Sequence, residues 1–238
     1  MEQYDRGLKP IVITATDLSD AWHQTVFQLL ERGRRFNVDK GSFEGEMRLE
    51  ADFVTIQITH PETRPLTPQL PPSLGIPDPV PAGYIEGDDP SYTGEPYLLY
   101  LMTDIKKPGE DYTYGERIAG GGNQIQHIID TYRNHGYRNN QMVLQVARPE
   151  DMNLQDPPCL RQIDTRIQDG RLHFFPYFRS WDAWGGMPAN LAGIQILKEY
   201  MAAEIGVEPG ETIATSKGLH LYKYVWELAE LRRGKLAA

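Results

Sequence analysis

The residues best equipped for chemistry lie between positions 156 and 222 of this 238-residue chain. Its only cysteine, Cys159, follows two prolines in Asp156-Pro157-Pro158-Cys159-Leu160. Paired prolines stiffen the approach to a strand and hold the thiol at a fixed position. A lone cysteine is by default a small buried hydrophobe. It becomes a nucleophile when nearby cations lower its pKa, because the thiolate is the reactive form. A cation is offered by Tyr177-Phe178-Arg179-Ser180-Trp181-Asp182, which brings a guanidinium, a hydroxyl and a carboxylate within four residues. A hairpin turning at Gln168-Asp169-Gly170-Arg171 would return that stretch beside Cys159, Asp-Gly being a strong hairpin signal. An ordinary strand rarely spends three such residues next to Trp181 and Trp184, which favours a nucleophilic Cys159 over an inert one.

Other constellations carry less. His23, His60, His127, His135, His173 and His220 form no HxxxH, HExxH or HxH set, and one cysteine cannot build a zinc cluster, so no metal is expected. Gly120-Gly121-Gly122 precedes a helix, but it lacks both the Lys-Ser/Thr of a phosphate loop and the spacing of a dinucleotide fingerprint. It reads as a connection.

The elements that must position these residues follow from apolar spacing. Residues 19–32 predict an amphipathic helix capped by Asp17 or Ser19, with Trp22, Val26, Leu29 and Leu30 on one face and Gly33 as its stop. Arg34-Arg35 reads as a basic turn leading into a loop at 39–42, and 53–59 as a β-branched strand. Residues 123–135 predict a second helix, 142–147 a strand, and 160–167 with 172–178 the hairpin. The segment 190–205 is apolar around most of its circumference, as expected of a helix buried on most sides. Alternation predicts one strand over 211–224, followed by a charged helix over 225–233. Ten of the 18 prolines fall in residues 61–96, which predicts a surface excursion in extended or polyproline form. The irregular order of helices, strands and hairpins predicts an α+β fold in one domain spanning 1–238.

Composition narrows the function. The chain is 40% hydrophobic and 24% charged, which suits a globular protein rather than a disordered one. With 24 Lys+Arg against 33 Asp+Glu, the net charge of −9 gives no broad positive footprint for nucleic acid. No apolar run approaches the roughly 20 residues of a bilayer span, and MEQYDRGLKP is not an apolar leader. The expectation is a soluble, cytoplasmic protein without a membrane partner.

Taken together, these motifs resemble the thymidylate synthase family, and a compact, archaeal-like member of it. Pro158-Cys159 matches the family's nucleophile motif, and Arg179-Ser180-Trp181-Asp182 its Arg-Ser-x-Asp. Gly186-Met187-Pro188-Ala189-Asn190 matches Gly-x-Pro-x-Asn, while Pro209-Gly210-Glu211 and His220-Leu221-Tyr222 match the late blocks. Tyr114-Gly115-Glu116-Arg117 resembles the Tyr-Gly segment, and the likeness covers residues 112–224.

The resemblance implies a mixed β-sheet with flanking helices, paired sheet on sheet in a homodimer. It implies reductive methylation of dUMP by 5,10-methylene-tetrahydrofolate or a related tetrahydropterin. Uracil C5 is a poor nucleophile until a thiolate adds at C6, which would be the task of Cys159. Arg179 would bind the phosphate and lower the thiol pKa, with Ser180 adding a hydrogen bond. The Asn190 carboxamide would pair with uracil O4 and N3–H, an aspartate there going with cytosine. His220 and Tyr222 would hold the 3′-hydroxyl, and Asp182 and the Gly186 backbone would face the pterin. Tyr114 would belong to the network that removes the C5 proton.

The sequence also departs from the family pattern. Trp22 is the only tryptophan before Trp181, so the indoles that shield the reacting methylene from water are missing. One arginine, Arg138, remains where a pair normally reaches the partner's phosphate, and Arg34 or Arg35 would be the mobile phosphate arginine. Leu160 stands for the usual His and Phe178 for the usual Gln; Glu95 and Glu116 are the candidates for the catalytic glutamate. Water reaching the active methylene would give a hydroxymethyl product instead of a methyl. A dUMP or dCMP hydroxymethylase, or a homologue that binds the nucleotide without turnover, are therefore the alternatives.

Overall fold

The computed structural model describes residues 7–39 and 43–233, so Lys40, Gly41 and Ser42 of the expected loop lie outside the described residues. The chain opens with β1 (Ile11–Ala15) and α1 (Leu18–Arg32). Asp17 caps α1, its side chain accepting from the Asp20 N–H at 2.8 Å, a cap of about 1 kcal/mol. Leu18, Trp22, Val26 and Leu29 form the buried face. The structure corrects the basic turn: Arg34 and Arg35 belong to a strand, β2 (Arg34–Asn37), which pairs antiparallel with β3 (Met47–Glu50). β4 (Val54–Ile58) follows, buried on alternate residues.

The proline-rich segment runs largely along the surface, most of its residues being exposed, but it is pinned at intervals. Leu66, Leu70, Ile76 and Val80 are buried, and the Pro79 carbonyl lies close against Gly185. The prolines lie between these anchoring apolar residues, so the segment is a surface strap tied to the core at four points. It leads to α2 (Tyr97–Met102), α3 (Tyr114–Ile118) and α4 (Gln124–His135). Gly115 is required where α3 meets the end of α2: a Cβ there would stand 1.9 Å from the Thr103 carbonyl oxygen.

Next come β5 (Val143–Gln145), β6 (Leu160–Gln168) and β7 (Arg171–Phe178). The β6–β7 turn places Asp169 at φ 52° and Gly170 at φ 74°, the two positive values that a tight two-residue hairpin demands. β8 (Trp181–Asp182) leads into α5 (Gly186–Ile205), which begins four residues earlier than the sequence predicts. α5 packs on α1, α2, α4 and the sheet strands, and its core-facing residues occupy most of its circumference. The expected strand at 211–224 is two strands in two sheets, β9 (Glu208–Ser216) and β10 (Leu219–Tyr222), followed by α6 (Trp226–Arg232). The break is at Lys217-Gly218, where a Cβ on Gly218 would meet the Arg179 carbonyl at 2.8 Å.

Six strands form a mixed sheet in the order β1-β4-β9-β7-β6-β5, and four form a second sheet, β2-β3-β10-β8. β7 runs parallel to β9, while β6 and β7 are antiparallel. This is the mixed α+β architecture expected from the order of elements. One contiguous apolar core runs from Ile11 to Ala229. No described helix is long and apolar enough to cross a membrane.

Candidate active site

Hairpin register creates the site. Leu160 pairs with Phe178, so Cys159 and Arg179 meet as neighbours just beyond the last rung, the Arg179 N–H donating to the Cys159 carbonyl at 2.8 Å. The second sheet completes the enclosure: Asp182 on β8 stands beside His220 on β10, and Tyr222 opposes Arg48 on β3. Between them lies a cavity of about 230 Å³ whose walls include Cys159, Arg179, Ser180, Asp182, His220 and Tyr222. Six predicted residues that are up to 63 positions apart thus share one chamber.

The Arg179 guanidinium is directed at the turn before the cysteine. It donates to Asp156 Oδ1 at 2.8 Å and to the carbonyls of Pro157 and Pro158. Burial pushes the Cys159 thiol above its ordinary pKa; Arg179 opposes this and Asp156 reinforces it. The net direction differs from the expected depression, because desolvation of the thiolate exceeds the attraction of a guanidinium already paired with a carboxylate.

His220 is built to accept a hydrogen bond. Its Nδ1 donates to the Gly218 carbonyl at 2.8 Å, which leaves Nε2 as the lone-pair nitrogen. That Nε2 is buried with no partner among the described residues. Burial lowers the imidazole pKa to about 4, with the Gly218 bond opposing and Arg48 adding to the fall. The ring is therefore neutral at physiological pH.

Asp182 binds the start of α5. Its Oδ1 accepts from the Trp184 N–H at 3.2 Å, and its Oδ2 from the N–H groups of Gly185 and Gly186 at 3.0 Å each. Oδ2 accepts two hydrogen bonds and Oδ1 only one, so the second lone pair of Oδ1 is uncommitted in a residue that lines the cavity. The Gly186 N–H is consumed by this cap.

Asn190, Tyr114, Arg35 and Arg138 do not line the cavity. Asn190 lies behind Trp181, its Oδ1 accepting from Trp181 Nε1 at 2.9 Å and its Nδ2 donating to the Tyr97 hydroxyl at 2.7 Å. The Tyr114 hydroxyl accepts from the Leu160 N–H at 3.2 Å, next to the cysteine. Arg35 lies over the Trp226 ring at 5.6 Å. Arg138 lines a separate surface cleft with Tyr137, Asn140 and Asp169. Neither candidate glutamate reaches the cavity: Glu95 pairs with Lys107, and Glu116 with Arg117 and Arg148.

Two features were not anticipated from the sequence. Arg48 is a second guanidinium in the cavity wall, paired with Glu50 at 2.5 Å, with its Nε buried and unpartnered among the described residues. The alternation of Met47-Arg48-Leu49-Glu50 could have flagged a strand, but not its neighbour Tyr222. Behind Cys159 stands a row of rings, Tyr84, Tyr97, Tyr100, Tyr114 and Tyr112, with successive centroids 5.0 to 6.3 Å apart. Burial raises the phenol pKa of Tyr97, Tyr100, Tyr112 and Tyr114, so all four stay protonated.

Residues 105–234 match the family model described as thymidylate synthase. The chain belongs to the thymidylate synthase family. A protein of Methanosarcina mazei named "Putative thymidylate synthase" is 28% identical over 222 residues, covering 92% of this chain and 93% of its own. One of the same name from Methanothermobacter thermautotrophicus is 28% identical over 220 residues, covering 92% and 96%. A third, from Methanopyrus kandleri, is 24% identical over 218 residues, covering 90% and 94%. Because these matches cover 90–92% of the chain, the similarity extends beyond the family model into the N-terminal half, where Arg48 lies.

Proposed function

We propose that the protein converts dUMP to dTMP, with Cys159 adding to uracil C6. The observation that carries this reading is the convergence of Cys159, Arg179, Ser180, His220 and Tyr222 on one cavity. Arg179 and Ser180 take the phosphate, whose charge replaces that of Asp156 at the guanidinium. The His220 Nε2 lone pair, together with Tyr222, takes the 3′-hydroxyl. Asn190, whose amide lies behind Trp181 and outside the cavity wall, is assigned to O4 and N3–H by the match of Gly186–Asn190 to the family's Gly-x-Pro-x-Asn. Sulfur addition at C6 moves electron density to C5, which becomes the attacking carbon. Tyr114, at the Cys159–Leu160 backbone, belongs to the polar network through which the C5 proton leaves.

A reduced pterin fits the donor set in part. Asp182 Oδ1 has a lone pair free to accept from a pterin N–H, whereas the Gly186 N–H is engaged and would contribute only through its lack of a side chain. When bound, 5,10-methylene-tetrahydrofolate or a related tetrahydropterin supplies the one-carbon unit and the hydride for the methyl product. No group of three or more His, Cys, Asp or Glu among the described residues is placed to hold a metal.

The exposed face of the six-stranded sheet supports association with a second copy. Phe175 and Tyr177 on β7 face away from the helical layer with Gln162 and Asp164 beside them on β6, all half-buried. In a sheet-on-sheet homodimer the Arg138 cleft would lie at this interface. A monomeric mass at assay concentration removes that part of the reading. The contiguous core supports treating residues 1–238 as one domain.

A second reading, hydroxymethylation, is favoured by one observation: the wall behind Cys159 is tyrosyl, and its hydroxyls can hold water where indoles would exclude it. One incubation with C5-tritiated dUMP and methylene-tetrahydrofolate tests both. Tritium release with a methyl product is expected, and release should fall at least about 10³-fold in Cys159→Ala. A hydroxymethyl product would establish the second reading. dUMP binding without tritium release would mean a nucleotide-binding homologue.

A further inference from the structure

Asn190 is held between two partners of different chemistry. Trp181 Nε1 can only donate, so the atom 2.9 Å away on Asn190 must be the carbonyl oxygen, whatever the base in the site. The other amide atom faces the Tyr97 hydroxyl at 2.7 Å, and a hydroxyl accepts or donates equally well. Tyr97 therefore tolerates either orientation of the amide, and Trp181 alone fixes it. Trp181 is itself immobile: it is 2% exposed, lines the cavity, and stacks on Phe178 at 4.0 Å and 4°.

The orientation matters because a carboxamide is ambiguous. An amide free to rotate by 180° offers donor-acceptor to uracil (O4 and N3–H) and acceptor-donor to cytosine (N4–H₂ and N3). With one oxygen lone pair on Trp181 and one N–H on Tyr97, what remains is one donor and one acceptor in a fixed order. We propose that Trp181 is a specificity-determining positioning residue, whose indole N–H locks the Asn190 amide in the order that reads uracil and rejects cytosine. This rests on the reading of Asn190 as the base contact.

The test is equilibrium binding of dUMP and dCMP to the full chain. Wild type is expected to prefer dUMP. Trp181→Phe keeps a ring on Phe178 and removes the N–H, and the dUMP:dCMP affinity ratio should fall about tenfold or more. Tyr97→Phe should leave the ratio unchanged while weakening both ligands. In an Asn190→Asp background, where the side chain has no amide to flip, Trp181→Phe should no longer change the ratio. A loss of packing alone would weaken both nucleotides and would persist in that background. An unchanged ratio in a folded Trp181→Phe overturns the inference and leaves the proposed function standing. Wild type that binds neither nucleotide overturns both. If the phenylalanine variant does not fold, benzothienylalanine at 181, an isostere with sulfur for N–H, carries the same expectation.

Discussion

Arg179 binds the Cys159 carbonyl through its backbone N–H, yet its guanidinium is spent on Asp156 and the carbonyls of Pro157 and Pro158. Cys159 and the cation that acts on it most, Arg179, are neighbours, and the cation is engaged elsewhere. Asp156 therefore acts on the thiol twice, through its own charge and by occupying Arg179.

The alkylation rate of Cys159 by iodoacetamide should rise with pH, with a midpoint above that of an ordinary cysteine. Asp156→Asn removes a negative charge and should move the midpoint down. Arg179→Gln removes a positive charge and should move it up. A midpoint that ignores both substitutions would mean that burial alone sets the thiol.

Arg48 has an unpartnered Nε in the cavity wall, and an anionic ligand would satisfy it. Arg48→Ala should weaken dUMP binding about tenfold or more by titration calorimetry. Deoxyuridine, which lacks the phosphate, should lose much less. Equal losses for both would place Arg48 on the sugar or base.

Lys198 is buried, with Nζ donating to the Gly210 carbonyl at 2.6 Å and to Thr212 Oγ1 at 2.7 Å. Burial lowers its pKa to about 7, opposed by Glu62, Glu199 and Glu211. Between that value and the ordinary lysine pKa the unfolded chain binds more protons than the folded one. Stability should therefore rise with pH from about 7 toward 10 through this group. The urea midpoint measured across that window should lose this positive slope in Lys198→Met.

Gly115 gives a test of packing rather than charge. Gly115→Ala puts a methyl on the Thr103 carbonyl, which forces α2 and α3 apart and should cost about 1 to 3 kcal/mol. The melting temperature should fall by several degrees for a domain of this size. Tyr114, next in sequence, would be displaced with it, so activity should fall more steeply than stability.

Local signals were legible in the sequence. Asp169-Gly170 specified the hairpin that joins Cys159 to Arg179, and the spacing of Trp22, Val26 and Leu29 specified α1. Residues 211–224 misled because alternation continues through Lys217-Gly218 while the chain changes sheets, and only the proximity of Arg179 makes Gly218 necessary there. Proline content hid the anchors Leu66, Leu70, Ile76 and Val80, which follow no helix or strand period. Arg48 and the tyrosine row were invisible for a different reason. Their meaning depends on neighbours distant in the chain, Tyr222 for one and Cys159 for the other.

Only Lys217 and Gly218 separate the last residue of the six-stranded sheet from the first residue of the cavity's own sheet. His220 and Tyr222 are thus carried on a short lever whose fulcrum belongs to the broad sheet. Whatever seats itself on that broad face and whatever enters the cavity act on the same stretch of backbone. Were a second copy to seat on that face and a nucleotide to enter the cavity, as proposed, the two equilibria would be linked, and any effect of one on the other would by reciprocity be matched in the opposite direction.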